Sequence, residues 1–195
     1  MSSSDFLSRI YKGVVFQFPH VDKPVIYDTR EGRSVEVSET TPGAMWQLPF
    51  EVDSATDKTI LADASQHFSE CKSRNSRMGE FKTVHGRKEV EGGVRYNTKR
   101  KTMTSMGKQN QEPRIVDGKR MPLENRAFWG GSSGNIKVTM MPSLNQSSGE
   151  WGISLLLDSA QVLEAIYGDA AEDFEIVEGA GGNAYDFDDE IPFGT

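Results

Sequence analysis

Hydrophobic and polar residues change their spacing several times along the chain. Tyr11 to Phe18 (YKGVVFQF) is β-branched and aromatic and stops at Pro19, which predicts a strand. Val35 and Val37 alternating with Glu36 and Ser38 predict a second strand. MWQLPFEV, residues 45 to 52, predicts a third, with Pro49 pushing it towards an edge or bulge position. Between Ser54 and Cys71 the period lengthens: Ile60, Ala64, Phe68 and Cys71 recur at helical spacing beside Leu61. Ser54 followed by Asp57 resembles a capping box, so a helix is expected here, with Cys71 a small core residue on its stripe.

From Lys72 the chain turns polar, basic and rich in Gly, Ser and Asn. Within it, Gly92 to Met103 (GGVRYNTKRKTM) places Val94, Tyr96 and Thr98 on one side of a strand and Arg95, Asn97, Lys99 and Lys101 on the other. Asp117-Gly118 is a turn signal, and Gly130-Gly131 allows a bend or bulge. Gly134 to Met141 and Glu150 to Asp158 alternate strongly and are joined by PSLNQSSG, an antiparallel hairpin signal. Ser159 to Asp169 closes the domain as a short helix or strand end. About five strands, one helix after the third and turn-rich loops predict an all-β, OB-fold-like five-stranded Greek-key barrel with long basic loops. Residues 1–168 would form this domain, and 169–195 a flexible tail.

Charge gives the pattern a direction. The 195 residues carry 22 Lys and Arg against 29 Asp and Glu, a net of −7, which taken whole argues against a nucleic-acid partner. The charges are segregated, however. Residues 169–195 contain nine acids and no base, whereas residues 72–120 contain 14 basic against five acidic residues, a net of +9. A polycationic middle and a polyanionic end suggest a nucleic-acid site with an acidic tail.

That middle carries the candidate site. Single strands are held by cations on phosphates and by aromatic faces on which bases stack. The cations are Lys82, Arg87, Lys88, Arg95, Lys99, Arg100, Lys101, Lys108, Arg114, Lys119 and Arg120, and the rings are Phe81, Tyr96, Phe128 and Trp129, with Trp46 and Phe50 beside them. Trp46, Phe50 and Trp151 weigh towards the core, while Tyr96 and Trp129 stay open between core and stacking. Tyr96 also poses a conflict: its strand neighbours Arg95, Asn97, Lys99 and Lys101 face the opposite way, so loops must supply either the rings or the cations.

Other chemistry is poorly served. His20, His67, His85 and the single Cys71 are scattered, without zinc-ligand spacing, and no phosphate-loop or nucleophile-elbow motif occurs. No catalytic residues and no cofactor are expected. The start of the chain lacks a signal-peptide core and no run of 18 apolar residues exists, so no membrane partner and a cytoplasmic location are expected.

Gly179 to Thr195 is a Gly/Asn linker followed by alternating acids and aromatics, which buries too little apolar surface to be ordered when free. The run Asp186-Phe187-Asp188-Asp189-Glu190-Ile191-Pro192-Phe193 resembles the acidic tip of bacterial single-stranded DNA-binding proteins. In that tip the last Phe bears the chain's carboxylate, whereas here Gly194 and Thr195 follow Phe193. The body is similar in layout to single-stranded DNA-binding proteins of bacteriophages, in Pro113 to Asp117, Gly130 to Ser133, Lys137 to Met140 and Gly152 to Glu164 with its closing Gln161-Val162-Leu163-Glu164. The resemblance implies an OB-fold core that coats single-stranded DNA during phage replication, recombination and repair, in the host's cytoplasm. It also implies a tail that recruits replication and recombination proteins, such as a polymerase, helicase-primase or recombinase. A second copy of the chain stands among the candidate partners. Single-stranded RNA binding or an acidic-tailed adaptor are the alternatives. With DNA absent, the tail is expected to lie on the oppositely charged groove.

Overall fold

The computed structural model describes residues 5–104 and 106–168; the acidic tail expected at 169–195 lies outside the described residues. In chain order the elements are β1 (Leu7–Phe16), β2 (His20–Asp28), β3 (Arg33–Glu36), β4 (Met45–Gln47), β5 (Phe50–Val52), α1 (Ser54–Arg74), β6 (Phe81–Val84), β7 (Lys88–Val90), β8 (Gly93–Tyr96), β9 (Lys99–Lys101), β10 (Arg114–Val116), β11 (Ser133–Leu144) and β12 (Trp151–Glu164). Among the described residues the protein is mostly β, with one helix packed on a single curled sheet.

The expected hairpin is its spine. β11 and β12 pair antiparallel from Ser133–Glu164 to Leu144–Trp151, and Ile136, Val138, Met140, Ile153, Leu155 and Leu157 all point inward and are buried. β1 lies along β11, β5 along β1, and β8 along β5. On the other side β12 takes up β9 in parallel at Leu156–Lys99, and β9 pairs with β4. β4 and β5 are one run of chain bent at Leu48–Pro49, and β8 and β9 are one run bent at Asn97–Thr98. The bend is tied by the Leu48 N–H donating to the Thr98 carbonyl (3.1 Å) and the Thr98 hydroxyl donating to the Leu48 carbonyl (2.5 Å). The pairings therefore return on themselves. Gly134 sits where β11 crosses β12 most tightly: a Cβ there would meet the Gln161 carbonyl oxygen and the Phe16 ring.

The sheet contains twelve strands where the sequence pattern suggests about five. Two predicted strands are each divided by the bends just described. β6 and β10 arise in polar stretches whose strand character comes from the distant β12, while β2 and β7 are completed by hairpins with the neighbouring β3 and β8. The helix follows the 45–52 run as expected, but that run is β4 and β5, so α1 comes after the fifth strand. Its N-cap is Asp53, which accepts from the Thr56 N–H at 2.7 Å, and Ser54 is already helical. Asp57 is freed from capping and turns inward. Ile60, Ala64, Phe68 and Cys71 form the predicted buried stripe.

Candidate nucleic-acid interface

The β8–β9 run sets out the site by simple alternation. Val94, Tyr96 and Thr98 are buried in the core, and Arg95, Asn97, Lys99 and Lys101 line the outer face. Gln47 and Met45 of β4 stand beside Lys99 and Lys101 in the pairing register. The β2–β3 hairpin rises on one side with Tyr27 and Ser34, and the turn at 85–88 rises on the other. Two hollows of about 600 and 730 Å³ share Tyr27, Ser34, Gln47, Gly86 and Asn97, so they form one continuous groove. Its near end holds Phe18, Lys88 and Arg95; its far end runs past Lys99 and Lys101 to Met141, Leu144 and Ser154 of the spine hairpin.

Two rings face this groove, and neither is among the sequence candidates. Phe18 is 64% exposed and Tyr27 62% exposed. Phe18 would continue the inward alternation of Val14 and Phe16, but its φ of +45°, just before Pro19, turns the ring outward. The guanidinium carbon of Arg95 lies 5.3 Å from the centre of that ring. Arg95 is in turn fixed by Glu51, whose Oε1 accepts from Nε at 2.9 Å and Nη2 at 2.6 Å, while Gln17 donates to the other oxygen at 3.1 Å. Strand β8–β9 thus brings cations to the groove, while the rings that face it, Phe18 and Tyr27, come from segments much earlier in the chain.

Several candidates serve the fold instead. Tyr96, a candidate for either core or stacking, is fully buried; it stacks on Phe50 at 5.6 Å between centroids and donates its hydroxyl to Asp57 Oδ1 at 2.6 Å. Burial and the neighbouring carboxylate push its phenol well above the usual tyrosine range. Arg87 closes the same cluster, its Nε and Nη2 each donating to Asp57 at 2.9 Å. Those bonds hold the Asp57 carboxyl below the usual carboxylate range despite its burial. Phe81 packs on Phe68 of α1 at 5.4 Å and Phe128 on Phe16 at 5.8 Å, while Trp46 and Phe50 are core residues. Tyr96, Trp46 and Phe50 lie on inward register positions, Phe128 is buried from a loop and Phe81 is half-buried against the core, and this packing outweighs nearness in sequence to basic residues.

The remaining cations divide into groups. Lys88, Lys99 and Lys101 are exposed along the groove and have no ion-pair partner among the described residues. Arg100 folds onto β12, donating to the Leu157 carbonyl at 3.3 Å and approaching Asp158 at 3.5 Å. Lys82 and Lys108 are exposed but line neither hollow. Arg114 and Arg120 lie elsewhere, around a second cavity with Lys12 and Lys137, and Lys119 is exposed on the adjoining turn. Trp129 is 53% exposed and stands against Gly168, where a Cβ would enter the indole. Residues 186 to 193 lie outside the described residues. His20 and His85, which the sequence offered only as failed zinc ligands, also line the groove.

Solved structures that this chain resembles include single-stranded DNA-binding proteins of bacteriophages. The protein gp2.5 of bacteriophage T7 superposes with a TM-score of 0.55 at 17% identity, over 90% of this chain and 98% of its own. The protein of bacteriophage Enc34, truncated at its C-terminus, gives 0.54 at 13% identity over 87% and 95%. In complex with ssDNA the Enc34 protein gives 0.51 at 15% identity over 83% and 88%. At these identities the likeness is one of fold. No family model and no curated protein matches the sequence.

Proposed function

We propose that this protein is a non-enzymatic single-stranded DNA-binding protein that coats exposed strands in the groove of β2–β3, β4 and β8–β9, with little sequence preference. The observation that carries the reading is the pairing of outward rings, Phe18 and Tyr27, with the unpaired cations Lys88, Lys99 and Lys101 in one continuous groove. Rings offer stacking faces to any base, and lysines follow the phosphates whatever the sequence. The fold neighbours support this reading, one of them in complex with ssDNA.

The returning pairings of β1, β4–β5, β8–β9, β12 and β11 correspond to a five-stranded OB-type barrel within the larger sheet, its helix lying between the second and third barrel strands. Residues 1–168 are the binding domain. Residues 169–195 are a separate acidic segment that recruits replication and recombination proteins, supported by the match of 186–193 to the bacterial tip.

Fluorescence anisotropy of labelled oligothymidylate, a duplex and a single-stranded RNA over a salt series tests the reading. Tight binding to single strands is expected, with log affinity falling by about 0.7 per phosphate contacted for each tenfold rise in salt. A flat salt response or a preference for duplex overturns it. Magnesium-dependent loss of the oligonucleotide would instead indicate an enzyme.

A further inference from the structure

A second cavity of about 510 Å³ opens on the outer surface of the sheet, away from the rings of the groove. Lys12 of β1, Lys137 of β11, Arg114 of β10 and Arg120 of the following turn surround it, and none has an ion-pair partner among the described residues. Arg120 is held there with a φ of +66°, in the left-handed region, by a turn in which its N–H donates to the Asp117 carbonyl at 3.0 Å. The floor is aliphatic, with Ile10, 60% exposed, and Val116. No lining carboxylate offsets the four charges, and no aromatic side chain lines the cavity. Lys119 adds a fifth exposed cation on the same turn.

This combination selects for a ligand. Four clustered cations call for an anion of several charges, and the exposed aliphatic floor calls for apolar side chains on that anion. Single-stranded nucleic acid would find phosphate contacts here but no stacking face, unlike in the groove. An acidic peptide with interleaved apolar residues satisfies both halves. The chain carries one: Asp186, Asp188, Asp189 and Glu190 surround Phe187 and run directly into Ile191, Pro192 and Phe193.

We propose that the acidic tip, residues 186–193, docks in this second cavity of its own molecule rather than in the groove. The reach is sufficient. Gln161 lines the cavity, and seven residues later Gly168 ends the described chain, a span of at most about 25 Å. Eighteen further residues bring the chain to Asp186, and a coil of that length has a root-mean-square reach of about 20–25 Å. Tethering at this range gives the tip a high local concentration over the cavity. In the groove Arg87 and Arg95 already hold Asp57 and Glu51, which leaves Lys88, Lys99 and Lys101 spread along its length against the four cations grouped around the cavity.

The test is paramagnetic broadening in the full-length protein. Thr195→Cys carries a nitroxide label, and Cys71 does not compete because it is buried. At low salt, amide signals of Lys12, Arg114–Val116 and Asn135–Lys137 should be lost. They should return at about 1 M salt, where the Debye length falls to about 3 Å. The double variant Arg114→Glu/Arg120→Glu should abolish the loss while the rest of its spectrum shows it folded, and Lys99→Glu/Lys101→Glu should leave it in place. Broadening confined to Phe18, Tyr27 and Lys99 would place the tip in the groove and overturn the proposal, as would no broadening at all. Broadening seen only when labelled and isotope-enriched molecules are mixed would assign the cavity to a second copy's tail, also against it. Added oligothymidylate shifting the cavity amides instead of the groove amides would give the cavity to nucleic acid. Failure of single-strand binding in the anisotropy series is read separately and leaves the docking result standing.

Discussion

Phe18→Ala and Tyr27→Ala separate the binding rings from the structural ones. In the free protein both rings are mostly exposed, so removing either uncovers little buried surface. Phe18 loses its contact with Arg95, which at an exposed site contributes about 0.5–1 kcal/mol. Each variant should therefore unfold within about 1 kcal/mol of the parent, a melting shift of about 2–4 °C. On single strands the same truncations remove a stacked base, at about 1–3 kcal/mol each, or about 5- to 150-fold in Kd. Tyr96→Phe is the comparison. It withdraws the hydroxyl that donates to Asp57 and should cost about 1–3 kcal/mol of stability while leaving the affinity of folded protein unchanged. Urea unfolding followed by circular dichroism gives the first quantity and oligothymidylate anisotropy the second. If Phe18→Ala and Tyr27→Ala bind like the parent and Tyr96→Phe binds more weakly, the groove has been assigned to the wrong rings.

Other residues give sharp expectations. Asp57→Ala strips both Arg87 and Tyr96 of their partner and should lower unfolding stability by about 3 kcal/mol, measured in urea. Because the folded Asp57 titrates below the usual range, its stabilisation is present above about pH 4 and fades as pH falls through the lowered value. Asp57→Asn should accordingly show a flatter stability profile than the parent on the acid side, and parallel profiles would contradict this. Tyr96 adds the mirror case: its phenol is raised, so its contribution is present below about pH 10 and lost as pH climbs through the raised value. Lys99→Ala/Lys101→Ala should make the salt dependence of ssDNA affinity shallower by about 1.4 in log–log slope, at about 0.7 per phosphate contact; an unaltered slope would remove these lysines from the phosphate path. Gly134→Ala forces a methyl group against the Gln161 carbonyl, and its yield of soluble folded protein should collapse, whereas Gly92→Ala, with open space around it, should fold and lose only backbone comfort at φ +81°.

The parts legible in the sequence are those decided by local alternation. Val94, Tyr96 and Thr98 had to face one way once the strand was recognised, and the spine hairpin declared itself through two uninterrupted alternating runs. The helix stripe was equally plain, although Asp53 rather than Ser54 caps it, because a one-residue shift leaves the apolar spacing unchanged. Pairing at a distance was hidden: β10 is a three-residue strand made regular by β12, 45 residues later. The cations of the groove were visible as a charge run, but the rings were not. Phe18 reads as the next inward residue after Phe16, and only its left-handed backbone reverses it. Tyr27 belongs to a run, Val25-Ile26-Tyr27, whose β-branched and aromatic character is the signal that could have revealed β2.

The β2–β3 hairpin is attached to the sheet by β2 pairing with β4 at His20–Gln47 and Val25–Met45, with an irregular stretch between them. Tyr27 travels with this hairpin, while Lys99 and Lys101 belong to the spine side of the groove. In the proposed reading, a single strand that stacks a base on Tyr27 and seats phosphates on Lys99 and Lys101 would bridge that seam like a staple. Under the proposed reading, a variant that tightens this seam should slow departure of the strand without adding a single contact to it.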